Sequence, residues 1–364
     1  MRVLLVCRDA FVRTLCTNPY VSSLVQGLEA EGCDVNCSLV DFWYAYDKYD
    51  LLFFQWPEEI FQWNVLQIDL GRLSKQFDTI RHAGVKTVIT CHNLYPHNHN
   101  KRTTELYELV YSKVDAIHHL GKYSYELMKE RFPQKYHFIA PHHIADSLWT
   151  NTPNSKDGKH ILRIPSDSIV ISSFGEFRNN DEKDLFFLIV KKCKSKSKRI
   201  VFLAPRLYAG RLYNGRWINK TFIHIFKSLV FKYYGIRCSG YLSDEELRLW
   251  LSATDIVFIQ RKSILNSGNI PLAYSAGKVV VGPDVGNVGV ILRETGNYAF
   301  NPTSDDSLEG SMSQAIEAIE SNQEVGMHNY CYAKSNWTVP IICRMIRIHL
   351  DYICGGVPHK RYSN

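Results

Sequence analysis

Several loops in the second half of the sequence combine glycine with cationic or small polar residues, a chemistry that suits anion binding. The clearest is an Asn-Ser-Gly-Asn turn at 266–269, just before a helix-like stretch and an apolar strand. Backbone N–H groups at the start of a helix lack internal partners and carry the positive end of the helix dipole. The turn therefore predicts a site for a phosphate-bearing ligand, with Ser267, Gly268 and Asn269 as binding residues.

Two further loops carry the cations that a diphosphate needs. In the loop Phe174–Lys183, Gly175 permits a close approach of the backbone, and Arg178 and Lys183 can neutralise negative charge. Arginine suits this task because its planar guanidinium binds phosphate through two hydrogen bonds. Arg206 follows the next predicted strand and competes for the same role. Ordinary solvated surface cations are the alternative interpretation.

A third loop predicts contacts to a flat base. Gly240 and Tyr241 precede a helix that has Ser243 as its N-cap and Glu246 three residues later, a capping box. A glycine followed by a tyrosine at such a position favours backbone contacts to a nucleotide base. Packing of Tyr241 in the core is the alternative.

The first half offers a histidine in a comparable position. His92 directly follows the apolar run Val85–Cys91, so it lies at the carboxyl end of a predicted strand. A histidine there can donate a hydrogen bond to a phosphate oxygen or a sugar hydroxyl, and we predict that His92 is catalytic. Capping of a turn is the alternative. No carboxylate or cysteine completes a metal-ligand set with His92, His97 and His99, so we predict no metal site.

Strand-length apolar runs alternate with helical periods along the chain, which predicts an α/β fold with parallel sheets and helices on both faces. In the first half, the predicted strands are Val3–Cys7, Leu51–Gln55, Val85–Cys91, Ala116–His119 and His137–Ala140, and the predicted helices are Asn18–Glu31, Leu66–Ala83, Thr103–Val114 and Tyr123–Arg131. In the second half, the predicted strands are Ser168–Phe174, Arg199–Ala204, Ile236–Ser239, Ile256–Ile259 and Val279–Val281, and the predicted helices are Lys183–Cys193, Thr221–Lys232, Ser243–Ala253, one from about Pro271, Ser307–Glu320 and Pro340–Ile353.

The pattern divides into two Rossmann-like halves. Residues 147–168 are polar and loosely patterned, which is typical of a linker. We predict a first domain over 1–150, a second over 160–335, and a C-terminal segment, 340–364, that packs back on the first domain. Ligands of open α/β sheets bind at the carboxyl ends of the strands, so two such halves predict a cleft between them.

The bulk properties set further bounds. A chain of 364 residues suits two domains, and its net charge of +7 is concentrated in the second half, which fits a phosphorylated ligand. No apolar stretch reaches the length of about 20 residues that spans a bilayer, and the first apolar run is too short for a signal peptide. The ten cysteines form no C-x-x-C pair, as expected for reduced thiols in the cytoplasm. The basic run Lys191–Arg199 has no interleaved aromatic residues, so we expect no nucleic-acid partner.

The order of these motifs resembles the GT-B glycosyltransferases of the large retaining family four and its relatives, over most of the chain. The blocks that resemble the acceptor half are Asn18–Tyr20, Thr90–His97, Asp115–His119 and Pro141–His143, and those that resemble the donor half are Phe174–Arg178, Ser239–Asp244, Ala253–Val257, Asn266–Asn269 and Gly277–Val280.

The resemblance implies a GT-B architecture and metal-independent transfer of a hexose from a UDP- or GDP-sugar, with no tightly bound cofactor. It implies that His92 lies near the transferred sugar and the donor phosphate, that Arg178 and Lys183 form the cationic pair on the diphosphate, and that residues 267–269 donate backbone N–H groups. The implied acceptor is a glycan or lipid-linked saccharide in bacterial surface polysaccharide synthesis. Analogy with enzymes that use lipid-linked acceptors suggests a cytoplasmic protein with peripheral contact at the inner face of the membrane.

The sequence also departs from that family. Its paired glutamates would fall at Ile264 and Leu272, and its glycine-rich first loop has no counterpart in Arg8–Asn18. These losses leave open a degenerate GT-B domain that binds a glycan or a partner without catalysis. A nucleotide-sugar epimerase is a further alternative, but it requires acid and base carboxylates near the sugar that the sequence does not reveal.

Overall fold

The computed structural model describes residues 1–8, 19–96, 100–144, 155–196, 199–207 and 232–355. The chain divides into two compact units, which are Met1–Ala145 together with Asn336–Asn364 (unit 1) and Asp146–Ser335 (unit 2). His97, His99 and all but the last residue of the predicted helix Thr221–Lys232 lie outside the described residues. No helix within the described ranges is long and apolar enough to cross a membrane.

Unit 1 contains a parallel sheet with the strand order β2-β1-β3-β4-β5-β6. The strands are β1 (Arg2–Leu5), β2 (Asp34–Cys37), β3 (Leu51–Phe54), β4 (Lys86–Cys91), β5 (Ala116–His119) and β6 (Tyr136–Ile139). The helices are α1 (Pro19–Ala30), α2 (Leu39–Tyr44), α3 (Leu70–His82), α4 (Lys101–Lys113), α5 (Lys122–Arg131) and α13 (Val339–Ile353), with 3₁₀ turns at Tyr46–Lys48, Pro57–Phe61 and Val65–Gln67.

Three local features of unit 1 differ from the prediction, the first being α2, which was not predicted. β2 was not predicted because it is an edge strand without a buried residue, and Asp34 and Asn36 break any apolar run. The helix predicted from Leu66 begins at Leu70, because the Asp69 side chain caps it by accepting a hydrogen bond from the backbone N–H of Arg72.

The last helix of the chain packs on the first helix of unit 1. A Cβ atom placed on Gly27 of α1 would lie 2.3 Å from Cys343 Sγ of α13, so only glycine permits this approach of the two helices. Ile342, Ile346 and Leu350 of α13 are buried on the same side as Cys343. This apolar stripe explains why a helix so distant in sequence belongs to unit 1.

Unit 2 contains a second parallel sheet with the strand order β12-β11-β10-β7-β8-β9. The strands are β7 (Ile169–Ser172), β8 (Ile200–Leu203), β9 (Ile236–Arg237), β10 (Ile256–Phe258), β11 (Val279–Pro283) and β12 (Tyr298–Phe300). The helices are α6 (Ser155–Ile161), α7 (Asn180–Lys196), α8 (Asp244–Ala253), α9 (Asn269–Ser275), α10 (Gly286–Glu294), α11 (Asp305–Glu320) and α12 (Val325–Asn336).

Part of the predicted linker is a helix. α6 lies within residues 147–168 and packs on α8, where a Cβ on Gly158 would lie 2.2 Å from Ser252 Oγ. Lys159 of α6 is buried and forms a 2.8 Å ion pair with Asp255. Contacts to distant residues therefore stabilise a helix that its own polar sequence does not indicate. The prediction also lacked α10, β12 and α12, which follow the donor-like blocks.

Candidate functional site

The strand order of unit 2 creates one preferred edge for a ligand. β7, the first strand of the unit, lies between β10 and β8, so the chain winds outward in both directions from the β7–β10 pair. This is the strand order of the dinucleotide-binding folds, in which ligands bind beyond the carboxyl ends of the strands at the point where the order reverses. In unit 2 the loops at that point are 173–179 after β7 and 259–268 after β10.

Gly175 and Asn269, both predicted binding residues, come together at this point. A Cβ on Gly175 would lie 3.2 Å from Gln260 Nε2 and 3.3 Å from Asn269 Nδ2, and Gln260 Nε2 donates a 3.1 Å hydrogen bond to the Gly175 carbonyl. Gln260 is fully buried, and its Oε1 has no hydrogen-bond partner in the part of the chain that the structure describes. A side chain at position 175 would crowd these two amides, and a role for Gly175 in ligand binding stays a prediction.

A buried ion pair holds the loop that carries Arg178. Arg261 Nη1 lies 3.1 Å from Glu182 Oε1, and Arg261 Nη2 donates a 3.2 Å hydrogen bond to the Glu176 carbonyl. The Glu182 carboxylate also accepts a 2.8 Å hydrogen bond from the backbone N–H of Arg178. Both side chains of the pair are less than a tenth exposed. Arg261 and Glu182 thus tie the loop after β7 to the end of β10 and leave the Arg178 side chain on the exposed side.

Arg206 forms the second ion pair of this edge. Its Nη2 lies 2.9 Å from Glu176 Oε2 and 3.3 Å from the Tyr241 hydroxyl, and its guanidinium carbon lies 4.5 Å from the centre of the Tyr241 ring. Tyr241 is largely exposed, which excludes the alternative that it packs in the core. The structure therefore brings together Arg206 and Tyr241, which were predicted separately from two loops.

The carboxyl edge of the sheet in unit 2 carries a net positive charge. Arg178, Arg206 and Arg261 share this edge with Glu176 and Glu182, which leaves one net positive charge. Burial, and then the positive charge of nearby Arg178, lowers the pKa of Arg261 to about 10, while the two glutamates raise it. The guanidinium groups of Arg178 and Arg206 therefore disfavour the charged form of Arg261, and an added anion would relieve that repulsion.

The turn 266–269 is fixed by the segment after β11. Asn287 is fully buried, donates a 2.7 Å hydrogen bond from Nδ2 to Asn266 Oδ1 and a 2.9 Å one from its backbone N–H to the Leu265 carbonyl. Gly286 has φ +56°, and a Cβ there would lie 2.6 Å from the Ile264 carbonyl oxygen. The backbone N–H of Asn269 donates to Ser267 Oγ at 3.3 Å, so that donor is already engaged within the turn.

The remaining predicted residues of unit 2 are placed individually. Gly240 has φ +101° and donates a 2.8 Å hydrogen bond from its backbone N–H to the Pro205 carbonyl, so its left-handed backbone is the reason for glycine. Lys183 lies in the first turn of α7, half-buried, and its ammonium group forms no ion pair with a described residue. The roles of Lys183, Gly240 and residues 267–269 in ligand binding stay predictions.

In unit 1, His92 lies at the carboxyl edge of the sheet between two aromatic side chains. Trp56, which follows β3, stacks on its ring at a centroid distance of 4.6 Å, and Tyr20 of α1 meets it edge-on at 5.2 Å. His92 Nε2 lies 3.0 Å from Gln55 Oε1. Burial, and then the nearby rings of His142 and His118, lowers the pKa of His92 well below its usual range. His92 is therefore a neutral histidine at physiological pH.

A second tryptophan of unit 1 is held in a strained backbone conformation. Gln62 and Trp63 both have left-handed backbones, with φ of 51° and 62°, which is rare for residues of this size. The Trp63 indole N–H donates to Glu59, a fully buried carboxylate that also forms a 2.8 Å ion pair with Arg8 after β1. Trp63 remains nearly half exposed beside Trp56.

Known structures share this architecture. Sucrose-phosphate synthase from Thermosynechococcus elongatus aligns with a TM-score of 0.73 and 12% identity over 98% of this chain and 100% of that chain. HepE from Anabaena in complex with UDP-glucose aligns with a TM-score of 0.70 and 11% identity over 97% and 100%. A putative UDP-N-acetylglucosamine 2-epimerase from Listeria monocytogenes aligns with a TM-score of 0.60 and 11% identity over 100% and 99%. No protein-family model and no curated protein matches the sequence.

The chain has the GT-B fold. The predicted fold class, with two Rossmann-like parallel sheets, is thereby confirmed. At such low identity the likeness extends to the GT-B fold and no further, and this fold is shared by the synthase and the epimerase named above. The chemistry of this chain therefore depends on its own residues.

The sequence analysis did not single out four polar residues at these edges, one in unit 1 and three in unit 2. They are Gln55, Gln260, Arg261 and Asn287. For three of them a signal was present, because Gln55, Gln260 and Arg261 lie within three residues of the end of an apolar strand, the rule that selected His92. Asn287 belongs to a helix that was not predicted. Within the described residues, no group of three His, Cys, Asp or Glu side chains is arranged to hold a metal ion.

Proposed function

We propose that the protein is a glycosyltransferase that moves a sugar from a nucleotide diphosphate sugar to a hydroxyl group. The observation that carries the proposal is the cluster of Arg178, Arg206 and Arg261 at the carboxyl edge of unit 2, where the strand order reverses. A cluster with net positive charge at that point suits a diphosphate, and Tyr241 beside Arg206 offers an aromatic face to a base.

The proposed reaction breaks the bond between the anomeric carbon of the sugar and the β-phosphate oxygen. The acceptor oxygen forms the new bond to that carbon, and the acceptor proton ends on the departing phosphate. Arg178 and Arg206 would stabilise the negative charge that develops on the leaving nucleoside diphosphate. Arg261 is too buried to do so directly and would act by holding the Arg178 loop through Glu182. Retention of the anomeric configuration would need no separate general base, because the departing phosphate accepts the acceptor proton.

Substrate class follows from the same proposal. As the donor we propose a UDP-sugar and not a GDP-sugar, because structures of the same fold contain UDP or UDP-glucose. We propose that unit 1 binds a glycan or lipid-linked saccharide acceptor, with His92 and the Trp56–Trp63 pair in contact with it, and that the pathway builds a bacterial surface polysaccharide. Metal independence and peripheral contact with the inner face of the membrane belong to the same proposal.

Thermal unfolding with nucleotides tests the donor site. UDP at 100 times its dissociation constant should stabilise the folded protein by about 2.7 kcal/mol, and GDP, ADP and CMP should stabilise it less. Arg178→Ala should abolish the UDP effect. Arg199→Ala is the matched control, because Arg199 is an exposed arginine at the amino end of β8, paired with Asp167 at 3.0 Å. If no nucleotide changes the melting temperature of the protein, the alternative of a degenerate, glycan-binding domain is supported instead.

An epimerase is the second candidate, since the same fold occurs in the Listeria protein named above. Incubation with UDP-N-acetylglucosamine and UDP-glucose, with and without a saccharide acceptor, separates the two. A transferase releases UDP at a rate that rises with acceptor, whereas an epimerase converts the sugar nucleotide without acceptor and keeps the nucleotide attached. Repeating the incubations with and without acceptor in the presence of EDTA tests whether the activity requires a metal ion.

A further inference from the structure

Gln55 occupies a position in unit 1 where a polar side chain requires an explanation. It follows β3 directly, as His92 follows β4, and the two strands are hydrogen-bonded neighbours in which Phe54 pairs with Ile89. Gln55 is only 1% exposed. A buried primary amide offers two donors and two acceptors that must be satisfied inside the protein. Burial of such a group is unfavourable unless hydrogen bonds inside the protein replace those to water.

The amide satisfies only part of that demand. Gln55 Oε1 lies 3.0 Å from His92 Nε2, but Gln55 Nε2 has no hydrogen-bond partner among the described residues. An unsatisfied buried donor costs about 1–3 kcal/mol. An apolar side chain of the same shape would avoid this cost if Gln55 had only to fill space. The contact with His92 therefore accounts for the presence of a polar side chain at this buried position.

The geometry of the contact determines the protonation of the ring. In this orientation of the Gln55 amide the oxygen faces Nε2 and only accepts hydrogen bonds, so His92 Nε2 carries the proton and the other ring nitrogen is an acceptor. The ring itself cannot turn away, because Trp56 stacks on it with an interplanar angle of 18° and Tyr20 meets it at 84°. A carboxylate in place of the amide would instead favour a positively charged imidazolium.

We propose that Gln55 is a positioning residue that holds His92 as the neutral Nε2–H tautomer. The catalytic consequence rests on the proposed function. A neutral His92 contributes no positive charge to a diphosphate, so stabilisation of the leaving group falls to the arginines of unit 2. His92 would then act on a neutral partner such as a sugar hydroxyl.

The neighbours of His92 agree with a neutral ring. Among the residues that the structure describes, the titratable groups that face it are Tyr20 from α1, His118 from β5 and His142 from the segment after β6. Burial lowers the pKa of His118 to about 4 and that of His142 to about 3, and burial raises the pKa of Tyr20 above its ordinary value. All three are neutral near pH 7, so none of them promotes a charged His92.

Nitrogen NMR of the histidine side chains in the full-length protein tests this proposal without any substrate. The wild-type ring of His92 should show the Nε2–H tautomer and should not titrate between pH 5.5 and 8. Gln55→Glu should raise the pH of its titration midpoint by at least about one unit, because a carboxylate replaces the amide against Nε2. Gln55→Leu should leave the ring neutral but populate both tautomers. Gln67→Glu, the same change on the surface of unit 1, should alter neither.

The outcome is decisive because it does not depend on transfer activity. A wild-type His92 in the Nδ1–H tautomer, a ring that titrates near pH 6.5, or a spectrum unchanged by Gln55→Glu would overturn the assignment. If the NMR results agree but no sugar nucleotide is turned over, the positioning role stands and the proposed function fails. If transfer occurs, Gln55→Glu should lower kcat and shift the pH profile, with little change in the affinity for UDP.

Discussion

The Arg261–Glu182 pair offers the sharpest test of how unit 2 holds its cationic loop. Arg261→Met replaces the guanidinium by an apolar chain of similar length and leaves the Glu182 carboxylate without its 3.1 Å partner. Removal of one member of a buried pair costs about 3–5 kcal/mol. We expect the lower end, about 3 kcal/mol, because Glu182 still accepts the 2.8 Å hydrogen bond from the Arg178 backbone.

Thermal and urea unfolding measure this loss. For a unit of this size, 1 kcal/mol changes the melting temperature by about 2–4 °C, so Arg261→Met should lower the transition by roughly 6–12 °C. Affinity for UDP should fall as well, because the Arg178 loop loses its anchor on β10. Arg199→Ala, which removes an exposed arginine, should change stability by less than about 1 kcal/mol.

The double variant Arg261→Met/Glu182→Leu decides whether the pair itself is responsible. Replacement of both charges by apolar groups removes the buried unpaired carboxylate, so the double variant should recover most of the lost stability while UDP affinity stays low. Losses that simply add, or an Arg261→Met protein as stable as wild type, would refute the conclusion that this pair anchors the loop.

Two more predictions concern the turn after β10 and the histidines of unit 1. Gly286→Ala should lower the stability of unit 2 in urea unfolding by more than Gly296→Ala does. Both glycines have left-handed backbones, but only at Gly286 would a Cβ lie 2.6 Å from a carbonyl oxygen, that of Ile264. Equal losses of about 1–2 kcal/mol for the two variants would show that this contact is unimportant. Acid should destabilise unit 1. Burial lowers the pKa of His118, His119 and His142 to about 4, 2 and 3, so these rings stay neutral in the native state while the unfolded chain binds protons below about pH 6.5. The contribution of these rings to the free energy of unfolding is therefore fully present above pH 6.5, and below it the free energy falls by up to about 1.4 kcal/mol per pH unit for each ring. Urea unfolding midpoints at pH 7, 6 and 5 measure this fall. A midpoint that does not change with pH would contradict it.

The architecture was predictable because its signals are local. Strands such as Leu51–Phe54 are continuous apolar runs since both faces of a parallel sheet are buried. The capping box at Ser243 is confirmed by both of its hydrogen bonds, 3.2 Å from the Glu246 backbone N–H to Ser243 Oγ and 2.8 Å from the Ser243 backbone N–H to Glu246 Oε2.

What the sequence did not reveal depends on contacts between distant residues. β2 is a polar edge strand that is defined by its pairing with β1. α6 depends on Lys159 meeting Asp255, nearly one hundred positions away. The ion pair of Arg261 with Glu182 links the loops of two strands that are neighbours in the sheet and far apart in the chain. Strand ends can be predicted from a sequence, but which of them meet is decided by the strand order.

A crystal structure of the protein with UDP would show where the nucleotide binds. We expect the two phosphates at the carboxyl ends of β7 and β10, within hydrogen-bond distance of Arg178 and Arg206, with the base beside Tyr241. UDP bound on another face of unit 2, away from residues 174–285, or bound with these side chains unmoved and out of contact, would contradict the assignment of this edge as the nucleotide site.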